Sequence, residues 1–412
     1  MRTRPWMAAC AIAGSMICCA ALAQTTPPPR VGLARALDAA WQRTQAGTEA
    51  QVALARAEAE QVAADSLLAE PPALELGHRS DRWHDNKGAR ENEVGLALPL
   101  WLPGQRSARQ AAAEAGQTLA RVGEDADRLR LAGDVREAAW TLAGLDAEVT
   151  VADAQLRYLR ELATDVERRV HAGELARTDA IAARAEALAA QAALSEVRER
   201  RHAAMARWQA LTGLDTAADP REAEAAPAAA GDDGLPAAHP GLRQAAQAVE
   251  HARRGVEVAR TDRAAAPELT LSYRREVAES GASAERSINF GLRLPFGTDA
   301  RNRPLAAAAQ GELAQAQVAE LRLRQQLAGD LVAARGALDA AAEQAEAARE
   351  RAGLLRERAQ LIDKAFRAGE AALPELLLAA SAATQGEAGR ARQDAALGLA
   401  RARLQQVSGI LP

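Results

Sequence analysis

The sequence predicts a mainly α chain with a transmembrane β-barrel, in which four strands per chain serve a set of very long, coiled-coil helices. Three observations carry this. The chain repeats itself at a constant offset of 196 residues (98 to 294, 173 to 369). Each copy holds two alternating segments of about ten residues, the length of a tilted bilayer-crossing strand. Each copy also holds an apolar stripe with a 3.5-residue period, the mark of a left-handed coiled coil.

The repeat shows in short matched pairs. Leu98-Pro99 returns as Leu294-Pro295, and Leu131-Ala132-Gly133-Asp134 as Leu327-Ala328-Gly329-Asp330. Ala172-Gly173-Glu174 returns as Ala368-Gly369-Glu370, and Thr212-Gly213-Leu214 as Ser408-Gly409-Ile410. The organisation follows: residues 24–214 are a first structural repeat, 215–239 a linker rich in Ala, Pro, Gly and Asp, and 240–412 a second repeat. Aromatics make up only 3% of the 412 residues while Ala dominates. Close helix packing tolerates that composition and a large globular core does not.

Residues 1–23 read as a secretory signal peptide. Arg2 and Arg4 precede an apolar run from Met7 to Ala20, and Ala21-Leu22-Ala23 is an A-x-A cleavage site. Cys10, Cys18 and Cys19 all fall inside it, so cleavage leaves no disulfide or thiol chemistry. Lipidation at Cys18 or Cys19 is the competing reading, against which Ser15-Met16-Ile17 makes a poor lipobox. Loss of Arg2 and Arg4 takes the formal charge from −4 to −6 (49 basic against 55 acidic). That acidity argues against nucleic acid as a partner. No later stretch reaches about 18 consecutive apolar residues, so any membrane role falls to strands.

Along the chain, Leu33 to Ala69 reads as helix, with Leu33, Leu37, Ala40 and Trp41 on one face, ended by Pro71-Pro72. Ala73–Arg79 and Glu91–Leu100 are strands around a polar loop; Val94, Leu96 and Leu98 alternate with Glu93, Gly95 and Ala97. A helix from Gly104 to Arg169 follows, roughly 100 Å long at about 1.5 Å per residue. Its seam runs through Val135, Leu142, Leu156 and Val166 at alternating steps of four and three. Gly173 closes it with the left-handed geometry that glycine permits, and a return helix spans Thr178 to Leu211. The second copy repeats the programme: helix Pro240–Ala265, strands Glu268–Val277 and Arg286–Phe296, and a long helix whose seam ends on Phe366. Trp83, Trp101, Tyr273 and Phe296 sit near strand ends, as interfacial girdles do. Four strands cannot close a barrel, and lipid forbids open edges, so several copies must assemble.

With its duplicated order of helix, strand pair, long helix and return helix, its Leu-Pro motifs and its Ala-Gly-Glu turns, the chain resembles the TolC-like outer-membrane efflux channel family over essentially its whole mature length. The run Leu98-Pro-Leu-Trp-Leu-Pro-Gly-Gln-Arg-Ser-Ala-Arg109 is similar to the channels of heavy-metal cation exporters. The resemblance implies a homotrimer in the outer membrane of a Gram-negative bacterium, with a twelve-stranded barrel and a helical tube extending into the periplasm. It implies a periplasmic adaptor and an inner-membrane pump, taken as the RND type, as partners, outer-membrane lipid around the barrel, and passive exit without catalysis. Heavy-metal cations are the expected cargo, with drugs or secreted protein as alternatives. A soluble periplasmic coiled-coil scaffold is the alternative from another class.

Candidate sites follow the tip. Arg169, Gly173, Glu174, Leu175, Arg367, Gly369 and Glu370 are expected to meet the adaptor, although the glycines also simply end helices. Asp179 and Glu375, each six residues past a turn glycine, and Phe366 are the pore-constriction candidates. The family places acids there, and threefold symmetry would gather them into a ring; a solvated helix face is the alternative. Phe366 stands where the family has a gating tyrosine and Leu378 where it has a second acid; Phe cannot hydrogen-bond, so the family's gate does not carry over wholesale to this chain. His78, His84, Asp81 and Asp85 in the first hairpin match no compact metal-ligand spacing. His171 reads as a surface residue. No phosphate loop, cofactor site or catalytic constellation is present in the sequence.

Overall fold

The computed structural model describes residues 31–221, 236 and 238–412. The signal segment with its three cysteines, and most of the linker, lie outside the described residues. From Val31 onward the chain forms one unit.

The first copy opens with α1 (Leu33–Arg43) and α2 (Gln45–Ala64). The single helix expected over Leu33–Ala69 is broken and shortened. Thr44 is extended (φ −85°, ψ 152°), and Gly47 packs so closely on the Trp41 carbonyl that a Cβ there would lie 2.4 Å from the oxygen. The helix then stops at Asp65. Its carbonyl accepts from Arg106 (2.6 Å) and its carboxylate from Gln110 (2.9 Å), both on the next long helix. Tertiary hydrogen bonds thus end it before the prolines can.

Strands β1 (Ala73–Ser80) and β2 (Arg90–Pro99) lead into α3 (Gln105–His171) and α4 (Arg177–Thr212). The second copy supplies α5 (Pro240–Thr261), β3 (Glu268–Val277), β4 (Glu285–Arg293), α6 (Asp299–Arg367) and α7 (Leu373–Val407). Helices α3 and α6 end 196 residues apart, at 171 and 367, and α4 and α7 begin 196 apart, at 177 and 373. Gly173, Gly369, Gly213 and Gly409 all adopt positive φ, between +73° and +81°.

The seam positions behave as their period requires. Val135, Leu142 and Val166 on α3 are fully buried, and Leu331, Ala345, Ala352 and Phe366 on α6 are buried. Helix α3 packs on α1, α2, α4, α5 and α7, whereas among the described residues α6 packs only on α5 and α7. Most of α6 away from its seam is therefore uncovered in one chain. Two larger buried clusters, besides a small one at Leu242 and Leu331, lie apart in the bundle. One, built on Trp41, Val135, Leu142 and Trp208, joins α1, α3 and α4; the other, built on Leu162, Val166, Phe366 and Leu376, lies at the far end.

The strands form one antiparallel sheet in the order β1-β2-β3-β4, so β2 and β3 join the two copies. The register places Leu74, Leu96, Leu271 and Phe290 in one row, and Leu76, Val94, Tyr273 and Ile288 in the next. All eight side chains are exposed. The opposite face carries Gly95 and Gly291, where an added Cβ would press on Ser272 and Thr270. Beside them Ser272 donates to Glu93 (2.5 Å), and Arg274 pairs with Glu91 (2.9 Å) and Glu93 (3.3 Å). A sheet with apolar groups on its exposed face and ion pairs on the other inverts the soluble pattern, and its outer strands β1 and β4 have unpaired edges.

Candidate functional site

The end of the bundle far from the sheet is built from two turns of identical construction. At each, the helix closes with paired backbone bonds around glycine: Glu174 N–H donates to the Arg169 carbonyl (2.9 Å) and Gly173 to Val170 (3.0 Å). In the second copy Glu370 donates to Ala365 (2.8 Å) and Gly369 to Phe366 (3.1 Å). This is the Schellman closure, which needs a left-handed residue at its centre. A Cβ added at Gly173 or Gly369 would meet nothing within 4 Å. Both turns therefore project into open space, with Glu174 and Glu370 exposed beside them.

Arg169 stands apart from the other tip residues. Its guanidinium lies 5.2 Å from the Phe366 ring centroid, donates to the Phe366 and Arg367 carbonyls (3.4 and 3.5 Å), and pairs with Asp165 (3.3 Å). It supplies donors to the C-terminal carbonyls of α6, where the helix dipole favours a cation, and so joins the two tips. Phe366, 2% exposed, is interior to the tip core, beneath that guanidinium. Leu175 packs on the same core. Arg367 is 69% exposed and pairs with Asp363 (3.0 Å).

The two acids differ. Asp179 is half-buried and accepts from the Ala176 backbone N–H (3.3 Å), returning to the first turn of α4 as the N3 residue of a capping box does. Glu375 occupies the equivalent first turn of α7, is exposed, and makes no such bond among the described residues. Above them, Tyr158 donates to Asp363 (3.2 Å), which bridges α3 to α6 across 205 residues of sequence. Burial, followed by the Asp363 carboxylate, pushes the Tyr158 hydroxyl well above its usual pKa. Sequence reasoning missed this bridge, because neither residue lies on a seam. Tyr158, Asp165, Arg169, Asp363 and Phe366 line a cleft of about 330 Å³.

At the sheet, His78 Nδ1 lies 2.7 Å from Asn92 Oδ1. No group of three or more His, Cys, Asp or Glu side chains able to hold a metal occurs among the described residues, and no helix there is long and apolar enough to cross a membrane.

Residues 73–214 match the model of the outer membrane efflux protein family. They span β1 through α4, which the second copy repeats element for element. The chain superposes on VceC of Vibrio cholerae with a TM-score of 0.70 at 17% identity, covering 92% of this chain and 96% of that one. It is as similar to CusC (TM-score 0.70, 16% identity, 92% and 93% covered). For the open-state MtrE channel of Neisseria gonorrhoeae the values are 0.69, 18%, 92% and 88%. The chain shares the fold of these outer-membrane channels. Among curated protein sequences none matches it.

Proposed function

We propose that this chain is the outer-membrane exit duct of a tripartite efflux system. The observation that carries the proposal is a four-stranded sheet that exposes an apolar face, leaves both edges unpaired, and continues into helices of roughly 100 Å. Water does not favour such a face, and lipid does not tolerate such edges. Three chains side by side would pair β4 of one with β1 of the next and close twelve strands. The uncovered faces of α4 and α6 would pack together in the same assembly. Periplasmic adaptor and inner-membrane pump would meet Gly173, Glu174, Gly369, Glu370 and Arg367 at the tip, with Arg169 and Leu175 holding the two turns in register behind them. Asp179 and Glu375 would form the constriction, underpinned by the buried Phe366. The duct moves substrate without catalysis.

Heavy-metal cations are the proposed cargo. The sheet face turned away from lipid carries Glu75, Glu91, Glu93, Glu268, Glu276 and Glu285 against Arg79, Arg274 and Arg293, a surplus of charge that draws cations into a lumen. Two experiments test the reading. The protein should be recovered from the outer-membrane fraction as a heat-sensitive oligomer; recovery as a soluble periplasmic species would refute the duct. Deletion should sensitise cells to zinc, cobalt, cadmium or copper. Intact metal tolerance with lost drug tolerance would remove the cargo and leave the duct.

A further inference from the structure

Charge on the sheet is sorted by face. Alternation and register put Glu75, Glu91, Glu93, Glu268, Glu276 and Glu285 on one side. The apolar side carries no carboxylate. Two residues beyond its Leu76, Val94, Tyr273 and Ile288 row, at the hairpin end, the next row is His78, Asn92, Arg275 and Arg286. Arg90 stands one row further on the same side, opposite Val277. All these side chains except Val277 are exposed.

On the opposite face Arg274 is neutralised by Glu91 and Glu93. Arg90, Arg275 and Arg286 have no ion pair or hydrogen-bonding side chain among the described residues. Arg275 and Arg286 are direct cross-strand partners, so their Cα atoms lie about 5 Å apart, close enough for two guanidinium forks to share one anion. An arginine facing lipid costs about 2–4 kcal/mol at the midplane and close to nothing at the interface. The row therefore marks the level at which acyl chains end and headgroups begin.

We propose that Arg90, Arg275 and Arg286 form a binding site for the phosphate groups of outer-leaflet glycolipid. The proposal rests on the barrel reading above, which puts the hairpin ends outside. Guanidinium binds phosphate bidentately and is the weakly hydrated cation suited to a half-dry rim. Tyr273, in the apolar row directly below, and Trp83, 94% exposed in the hairpin, give the acyl chains and sugar faces something to lie against. The bound lipid would seal the barrel rim at each junction between chains, because Arg286 stands on the edge strand β4.

The test uses full-length oligomer in detergent, titrated with bisphosphorylated lipid A, its dephosphorylated form, phosphatidylethanolamine and inorganic phosphate, and read by native mass spectrometry. Wild type should retain the bisphosphorylated lipid in preference to the others. R90Q/R275Q/R286Q should bind it about tenfold or more weakly, and the single variant R286Q by a smaller factor should the triple variant fail to assemble. R79Q, at the same height on the opposite face, should bind as wild type does. Equal binding by wild type and R286Q, equal loss in R79Q, or equal uptake of the dephosphorylated lipid would overturn the site. Conductance of the wild-type protein in planar bilayers separates the two readings. A conducting oligomer with indifferent lipid binding refutes only this site, and absence of any conducting oligomer refutes the barrel.

Discussion

At the residue scale, the tip shows how one side chain can serve two roles at once. Phe366 fills the core beneath Arg169, and Arg169 in turn satisfies the last carbonyls of α6. Phe366→Ala should open a cavity and cost about 3–5 kcal/mol, read as a lower midpoint in denaturant and a loosened tip. Glu174→Arg with Glu370→Arg should instead leave the midpoint within about 0.5 kcal/mol, since both are exposed, and lower adaptor co-purification; unchanged recovery of adaptor would remove the turns from that interface. His239 offers a pH test. Its Nδ1 accepts from Gly241 N–H (3.1 Å) at the start of α5, where a cation is disfavoured. Burial also holds its pKa below the ordinary value. The folded state therefore binds the proton less readily than the unfolded chain. The contribution is complete above the unfolded pKa of about 6.5 and is lost as pH falls through the folded value. Denaturation midpoints should fall on acidification below about pH 6.5, and His239→Asn, which keeps a cap acceptor, should flatten that slope. An unchanged slope would refute the assignment.

At the element scale, the long helices were legible and their interruptions were not. A 3.5-residue seam dictates which face of α3 or α6 is buried whatever the partner, and Val135, Leu142, Val166, Ala345 and Ala352 obey it. The break at Thr44 depends on Gly47 meeting the Trp41 carbonyl, a backbone approach with no signature in periodicity. The Tyr158–Asp363 bridge depends on which helices become neighbours, which local pattern does not state. Packing between α3 and α7 shows the same dependence. Gly398 lies so close to Trp140 that an added Cβ would stand 2.1 Å from the indole, so the pair acts as knob and socket between the two copies. Gly398→Ala should force Trp140 to move and destabilise the chain by about 1–3 kcal/mol. Gly389→Ala, on the same helix with nothing within 4 Å of an added Cβ, should be neutral or slightly stabilising by helix propensity. Equal midpoints for the two variants would show that α3 and α7 are not held together at that point.

At the scale of the whole molecule, the duplication settles what one chain lacks. Each copy yields a hairpin and a helical pair, β2–β3 joins the hairpins, and the result still has two unpaired strand edges and an uncovered α6. In the proposed duct closure comes from other chains, and it would couple barrel to tube: the helices would not meet their neighbours unless the strands did. In that proposed assembly the two tips would alternate and differ where their residues differ. Val170 is the counterpart of Phe366, and the capping Asp179 is the counterpart of Glu375, which makes no cap bond among the described residues. Only Glu375 is free to turn its carboxylate to the axis without releasing a helix N-terminus. Glu375→Ala should therefore raise ion leakage through the reconstituted pore while leaving stability within about 0.5 kcal/mol. Asp179→Ala should cost about 0.5–2 kcal/mol through its lost cap bond and add less to the leak. Bilayer conductance measured beside denaturant midpoints separates the two residues. Unchanged conductance in Glu375→Ala would place the constriction elsewhere in the tube, and a larger leak from Asp179→Ala would assign the ring to the first copy.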